Sequence, residues 1–187
     1  MKPQGEEIVR AIGSTPDDPL NRIYLTLISA ISNADLSVHL NIAYFAPNQD
    51  LLDAITGAAR RGVDVALVLP SYSDSSAIFY LGRASYTQLL ESGVKIYERS
   101  GSVMHAKTAC IDGIWSTIGS SNLDSRSFLH NDEIVAVVLG RGFAGQMEAM
   151  FADDIAQSKV FELDAWRRRP LLQRIKEQLS RLGTYWL

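Results

Sequence analysis

The chain has 187 residues, 47% of them hydrophobic and 21% charged, with a formal net charge of −3. That length is enough to bury a full core, and the composition excludes a disordered chain. The acidic balance gives no overall basic footprint for nucleic acid, the one cysteine excludes an internal disulfide framework, and no run nears the ~20 apolar residues of a membrane span.

Met1-Lys2-Pro3 opens no readable signal peptide. Residues 7–13 predict a strand, and Asp17-Asp18-Pro19 opens a helix reaching residue 33, with proline at its first turn. Residues 36–44 predict a strand, 50–61 a helix, and 63–69 a strand closed by Pro70. A helix over 75–92 is stopped by Gly93, and 94–98 is a strand. Strands are predicted over 103–111, 114–118 and 133–139, then helices over 143–156 and 163–182. No internal repeat or low-complexity linker interrupts them. The alternation predicts an α/β fold, a mixed β-sheet flanked by helices on both faces, in a single domain over 1–187. Residues 163–187 are expected to form a basic amphipathic C-terminal helix.

The pattern H-x-K-x4-D-x6-G-S-x-N occurs once, as His105, Lys107, Asp112, Gly119, Ser120 and Asn122. Six fixed positions arise by chance at on the order of one start in 10⁷ to 10⁸. Asp112-Gly113 between two β-branched runs predicts a two-residue hairpin turn, since both central positions need positive φ. That register sets Ile111 opposite Ile114, Lys107 opposite Ile118, and His105 opposite Ser120. Side chains alternate along a strand, so His105, Lys107, Ser120 and Asn122 are expected on one face. Asp112 falls in the turn, roughly 16 Å along the strand from Lys107, and reads as a turn residue rather than a catalyst.

Such a cluster suits a phosphoryl centre. An imidazole can attack phosphorus or protonate a leaving oxygen near neutral pH. An ammonium, a hydroxyl and a carboxamide can hold non-bridging oxygens as charge develops. There is no phosphate-cradling G-x-x-x-x-G-K-[ST] loop and no acidic cluster spaced for magnesium. His39, His105 and His130 lack zinc-ligand spacing. The reading is therefore phosphodiester cleavage or exchange without metal or other cofactor.

The motif resembles the H-K-D signature of the phospholipase D superfamily, and the likeness extends over nearly the whole chain. Tyr44-Phe45-Ala46-Pro47, Arg60-Arg61-Gly62-Val63-Asp64-Val65, Gly93-Val94-Lys95-Ile96-Tyr97-Glu98 and Asn122-Leu123-Asp124-Ser125-Arg126-Ser127-Phe128 resemble the second half of bacterial cardiolipin synthases. So do Trp166-Arg167-Arg168-Arg169-Pro170 and the terminal Tyr185-Trp186-Leu187. The resemblance implies a two-step reaction through a phosphohistidine, with a second histidine as general acid and then base. Carried over, His105 is one of that pair, Lys107, Ser120 and Asn122 contact the phosphate, and Glu133 orients the His105 ring. Glu133 can also be read as a solvent-facing strand residue, and Cys110 and Tyr44-Phe45 as core packing. His130 reads as a loop residue.

Those synthases carry two motifs and N-terminal membrane segments, whereas this sequence holds one motif. Two copies then pair, as single-motif nucleases of the superfamily do, or a missing N-terminal half supplies the second motif. Three functions remain in view: a phosphatidyl transferase using phosphatidylglycerol, a homodimeric phosphodiesterase or endonuclease, and a non-catalytic half-domain. Against DNA as substrate, residues 100–131 hold only Lys107 and Arg126 as lysine or arginine. Residues 166–187 hold six basic residues and one acid, a local charge of +5. Leu171, Leu172, Ile175, Leu179 and Leu182 form a helical stripe. The tail suits an anionic membrane surface, or packs its stripe on the domain, or does both. The expected location is peripheral, on the cytoplasmic side of the bacterial inner membrane.

Overall fold

The structure, a computed structural model, describes residues 5–16, 20–101, 104–124, 127 and 130–182, the side chains of 181 and 182 excepted. The readings placed on Asp17-Asp18-Pro19, Val103, Ser125, Arg126, Phe128 and Tyr185-Trp186-Leu187 lie outside them, as does the side chain of Leu182.

Eight strands among the described residues make one mixed sheet: β1 (Ile8–Ser14), β2 (Ser37–Ile42), β3 (Asp64–Pro70), β4 (Lys95–Arg99), β5 (Lys107–Ile111), β6 (Trp115–Gly119), β7 (Glu133–Leu139) and β8 (Ser158–Phe161). Their order is β1-β7-β6-β5-β2-β3-β4-β8. β2, β3 and β4 run parallel, and every other neighbouring pair is antiparallel. Central β3 reads as one apolar run, Val65 to Leu69, because helices cover both its faces.

On one face lie α1 (Arg22–Ser32) and α2 (Gln49–Arg60). Asn21 accepts the Tyr24 N–H at 3.0 Å to cap α1, and Asn48 accepts that of Leu51 to cap α2. Ile23, Leu27 and Ile31 recur at every fourth position and face the sheet. Leu27 and Ile31 join Val38, Leu40, Leu67, Ile96 and Ala109 in the principal core, with Leu89 of α4 (Tyr86–Glu91) and Trp166 of α6 (Leu163–Arg167). The other face is covered by α5 (Arg141–Ala156), whose Ala144, Met147 and Phe151 meet Cys110, Ala66 and Val68. His39 stacks on Phe151 and bonds Glu148 through Nδ1 at 2.6 Å, tying α5 to β2. Burial pushes the Cys110 thiol up to about 11, so it behaves as a small core residue.

α3 (Ser76–Ala84) lies over the chain that follows β2. A Cβ on Gly82 would stand 2.2 Å from the Phe45 carbonyl oxygen, so only glycine allows this approach. One residue along, Arg83 grips buried Glu98 of β4 with Nε at 2.8 Å, and Tyr86 donates to the same carboxylate at 3.0 Å.

Three expectations change. The helix over 75–92 is two helices, α3 and α4, meeting at Ser85. The helix over 163–182 is also two, α6 and α7 (Leu171–Leu182), because Pro170 has no N–H to continue the first. β8 was not expected, being four residues with little alternation that add to the edge of β4.

Candidate functional site

The motif lies at one end of the sheet, where β2 and β6 finish and β5 and β7 begin. The Ala43 N–H donates to Ala106 O at 2.9 Å, that of Leu123 to Tyr44 O at 3.2 Å, and that of Ala46 to Leu123 O at 2.8 Å. The segment after β6 thus runs beside the segment after β2, with Phe45 and Leu123 bridged in parallel.

At the far end of the β5–β6 hairpin, Asp112 (φ 54°) and Gly113 (φ 61°) occupy the central turn positions, closed by Ile114 N–H to Ile111 O at 3.2 Å. The strands then pair Ile111 with Trp115 and Thr108 with Ile118, one residue out of the expected register. Ile114 is an extra residue, a bulge whose carbonyl accepts the Gly140 N–H at 2.9 Å instead. Lys107 therefore does not face Ile118. His105 precedes the paired strand, so its expected pairing with Ser120 is not formed. Ser120 is held by β7, donating its N–H to Ile134 O at 3.0 Å and accepting the Ile134 N–H on its hydroxyl at 3.0 Å.

The imidazole of His105 is exposed, and the Tyr44 ring stands edge-on to it with centroids 6.2 Å apart. Lys107 is half-buried and donates Nζ to the His105 carbonyl at 3.0 Å. Burial pulls its pKa below the ordinary lysine value, against the pull of the Glu133 and Asp124 carboxylates. Glu133 is buried and accepts from the Ser120 hydroxyl and from Asn131 Nδ2 at 3.3 Å. No hydrogen bond joins it to His105 among the described residues, and its burial sets aside the solvent-facing alternative. Asn122 receives no partner at its buried Oδ1 among the described residues, while its N–H bonds the Ser127 hydroxyl at 3.3 Å. An exposed imidazole and a half-buried ammonium therefore lie at this end of the sheet, with two carboxylates near enough to act on the ammonium.

Asp112 stands apart from this group. Its carboxylate accepts the N–H groups of Asp35 (3.0 Å), Leu36 (2.7 Å) and Ser37 (2.9 Å), and its own N–H bonds Ser37 O at 3.0 Å. Burial would raise its pKa, but the N–H groups of Ser37, Asp35 and Leu36 outweigh it and hold the carboxyl below its usual value. His130 lies in an exposed turn.

Sequence reasoning gave Asp124 no role and read Tyr44 as core packing. Asp124 is buried and accepts the Ser127 N–H at 2.7 Å. Its signal was an acid two residues beyond Asn122, close to the motif lysine in space. Tyr44 lies beside the site rather than in the core, which Phe45 enters instead. The Tyr44 hydroxyl donates to Asp74 at 2.6 Å, and that bond, with burial, raises its pKa.

The family described as "Cardiolipin synthase, PLD-like domain" matches residues 27–155. The chain belongs to this family. Cardiolipin synthase A of Citrobacter koseri is 40% identical over 171 residues, 91% of this chain and 35% of that protein. Cardiolipin synthase A of Klebsiella pneumoniae is likewise 40% identical over the same shares. The chain thus spans about a third of the length of these curated relatives. Among solved structures, the phospholipase D family member Nuc from Salmonella typhimurium superposes with a TM-score of 0.71 at 22% identity, covering 84% of this chain and 99% of that one. Phosphatidylserine synthase from Haemophilus influenzae superposes with a TM-score of 0.75 at 14% identity, over 98% of this chain and 46% of that one. At such identities these two establish the fold alone, an α/β fold of phospholipase D type.

Proposed function

We propose that this chain is one half of a phosphatidyl transferase of cardiolipin synthase type. The observation that carries the reading is the His105–Lys107 edge: an exposed imidazole beside a carboxylate-backed ammonium, with no second imidazole from the described residues against it. The 40% identity to cardiolipin synthase A across 91% of the chain supports the lipid branch. In the first step an imidazole nitrogen of His105 bonds to the phosphorus of phosphatidylglycerol. The bond from phosphorus to the glycerol oxygen breaks, and glycerol leaves with a proton from the histidine of a second H-K-D motif. In the second step a hydroxyl oxygen of another phosphatidylglycerol bonds to the phosphorus, the phosphorus–nitrogen bond breaks to free His105, and that second histidine takes the hydroxyl proton. Lys107, Ser120 and Asn122 hold the non-bridging oxygens. Glu133 accepts from the Ser120 hydroxyl and supplies counter-charge to Lys107, and acts on the site through these two rather than by a hydrogen bond to His105.

The second motif comes from a homodimer mate or from a missing N-terminal half. Among the described residues no helix is long and apolar enough to cross a membrane. We place the chain peripherally on the cytoplasmic side of the bacterial inner membrane, where phosphatidylglycerol is presented. A homodimeric phosphodiesterase is the second reading, favoured by the near-complete coverage of Nuc. The test is to incubate the chain with phosphatidylglycerol vesicles and to assay glycerol and cardiolipin, with soluble diester and DNA in parallel. Cardiolipin formation that needs His105 supports the first reading. Cleavage of diester or DNA without lipid transfer supports the second. No turnover on any of these, alone or with a second-motif half added, leaves a non-catalytic half-domain.

A further inference from the structure

Helix α7 is packed inside out. Its one acid, Glu177, is 2% exposed, and Arg169 holds it with Nε at 3.0 and 3.1 Å and Nη2 at 2.6 Å. The Arg169 guanidinium lies 4.1 Å above the ring of Trp166, itself buried in the principal core. On the same side Lys176 reaches the Tyr80 hydroxyl of α3 at 3.3 Å. The face turned to the protein is therefore polar and ionic, and it is anchored. Leu171, Leu172, Ile175 and Leu179 are turned away from this anchor, exposed by 68, 65, 46 and 60%, with Leu171, Ile175 and Leu179 along one wall of an open cleft that Ala84, Thr87 and Gln88 also line. An amphipathic surface helix normally turns its stripe inward. The expectation that this stripe packs on the domain is overturned, because the buried Arg169–Glu177 pair fixes the rotation of the helix the other way.

We infer that the outward stripe of α7 docks on an anionic lipid surface, seating its apolar side chains among the acyl chains. Charge selects this occupant. Exposed Arg168 and Arg174 flank the stripe, in a segment of local charge +5 on a chain of net charge −3. Arginine and lysine stems beside an apolar stripe carry their charges up to the headgroup phosphates while the stripe enters. A copy of the same helix would instead meet these cations with its own.

The position of α7 gives docking a use. α7 rests on α3, and α3 lies against Phe45. The chain just before α3 holds Tyr44 through Asp74, and Tyr44 stands beside His105. A docked α7 therefore leaves α3 as the one helix between itself and the loops around His105. This use rests on the proposed lipid substrate, although docking itself does not.

The test is co-sedimentation with phosphatidylcholine vesicles, with and without phosphatidylglycerol, in the His105→Ala background so that turnover plays no part. Binding is expected to rise with phosphatidylglycerol and fall with salt. Arg168→Gln with Arg174→Gln should weaken it about twenty-five-fold, from about a fivefold loss per cation near the surface. Leu171→Gln, Ile175→Gln and Leu179→Gln together should weaken it about tenfold or more, with circular dichroism unchanged because all three are exposed. Equal binding to both vesicle types overturns the inference. So does a triple variant that binds as the parent does, including one that only turns a dimer into a monomer. If wild type binds vesicles but forms no cardiolipin, the transferase reading falls and this inference stands. If it cleaves a soluble diester but ignores vesicles, the inference falls alone.

Discussion

The two ends of the β5–β6 hairpin carry residues of one motif and are built in opposite ways. At the turn end, Asp112 satisfies three backbone N–H groups from the segment entering β2, and its positive φ is one that aspartate tolerates. At the other end, His105 is exposed and the buried Asn122 Oδ1 has no partner among the described residues. Buried polar groups are paired almost everywhere in folded proteins, and in the function proposed for this chain a phosphate oxygen is the partner that Asn122 meets through its amide. Within one sequence signature, the aspartate serves the fold, and the proposed chemistry falls to the histidine. The spacing between them is the length of a strand.

The largest effect that separates the ends is on turnover. His105→Ala should lower any diesterase or transferase rate by about a thousandfold or more, with an unchanged urea midpoint. A variant retaining wild-type rate would remove His105 from the reaction. Asp112→Ala should do the reverse. It leaves three N–H groups without their acceptor and strains an αL position, so about 2–4 kcal/mol of stability should go while the rate per folded molecule stays. A rate loss as deep as that of His105→Ala, at unchanged stability, would erase the contrast.

Glu133→Gln should act between these, at about tenfold in rate. Lys107 is already lowered by burial, and Glu133 pulls the other way. Without that carboxylate the Lys107 pKa falls further, so the alkaline limb of the rate profile should move to lower pH. A limb that stays put means that Glu133 does not act on Lys107. The smallest effect is acid sensitivity at the turn. The folded Asp112 pKa lies below its unfolded value, so its stabilisation is complete above the unfolded pKa of about 3.9 and is lost as pH falls through the folded value. The difference in urea midpoint between wild type and Asp112→Ala should be constant at neutral pH and shrink below about pH 4. A difference that does not change in acid would mean that charge adds nothing to those three bonds.

Strands β2, β3 and β7 were legible because their apolar runs are bounded by polar or proline residues, and β7 matches its predicted range of 133–139. The site was legible in kind, since six fixed positions name a chemistry. Its geometry was less so. Asp112-Gly113 specifies the turn, but nothing local announces that Ile114 stays unpaired, because its carbonyl is claimed by Gly140 from a distant helix start. That one residue undoes the inferred pairing of His105 with Ser120. Pro170 was visible and should have divided the last helix. The rotation of α7 was not visible, since helical period locates a stripe without saying which face meets the protein. A buried Arg169–Glu177 pair, eight residues apart, decided that.

The close contact at Gly82 makes α3 a spacer of fixed thickness. On one side it bears on Phe45, which is bridged to Leu123 beside Asn122; on the other it carries α7. A single methyl at residue 82 would act as a wedge, lifting α3 from the loops around His105 and shifting the outward stripe in the same movement. Anyone retuning how this protein meets a surface can rework the outside of α7 freely, but has no room to do it from beneath α3.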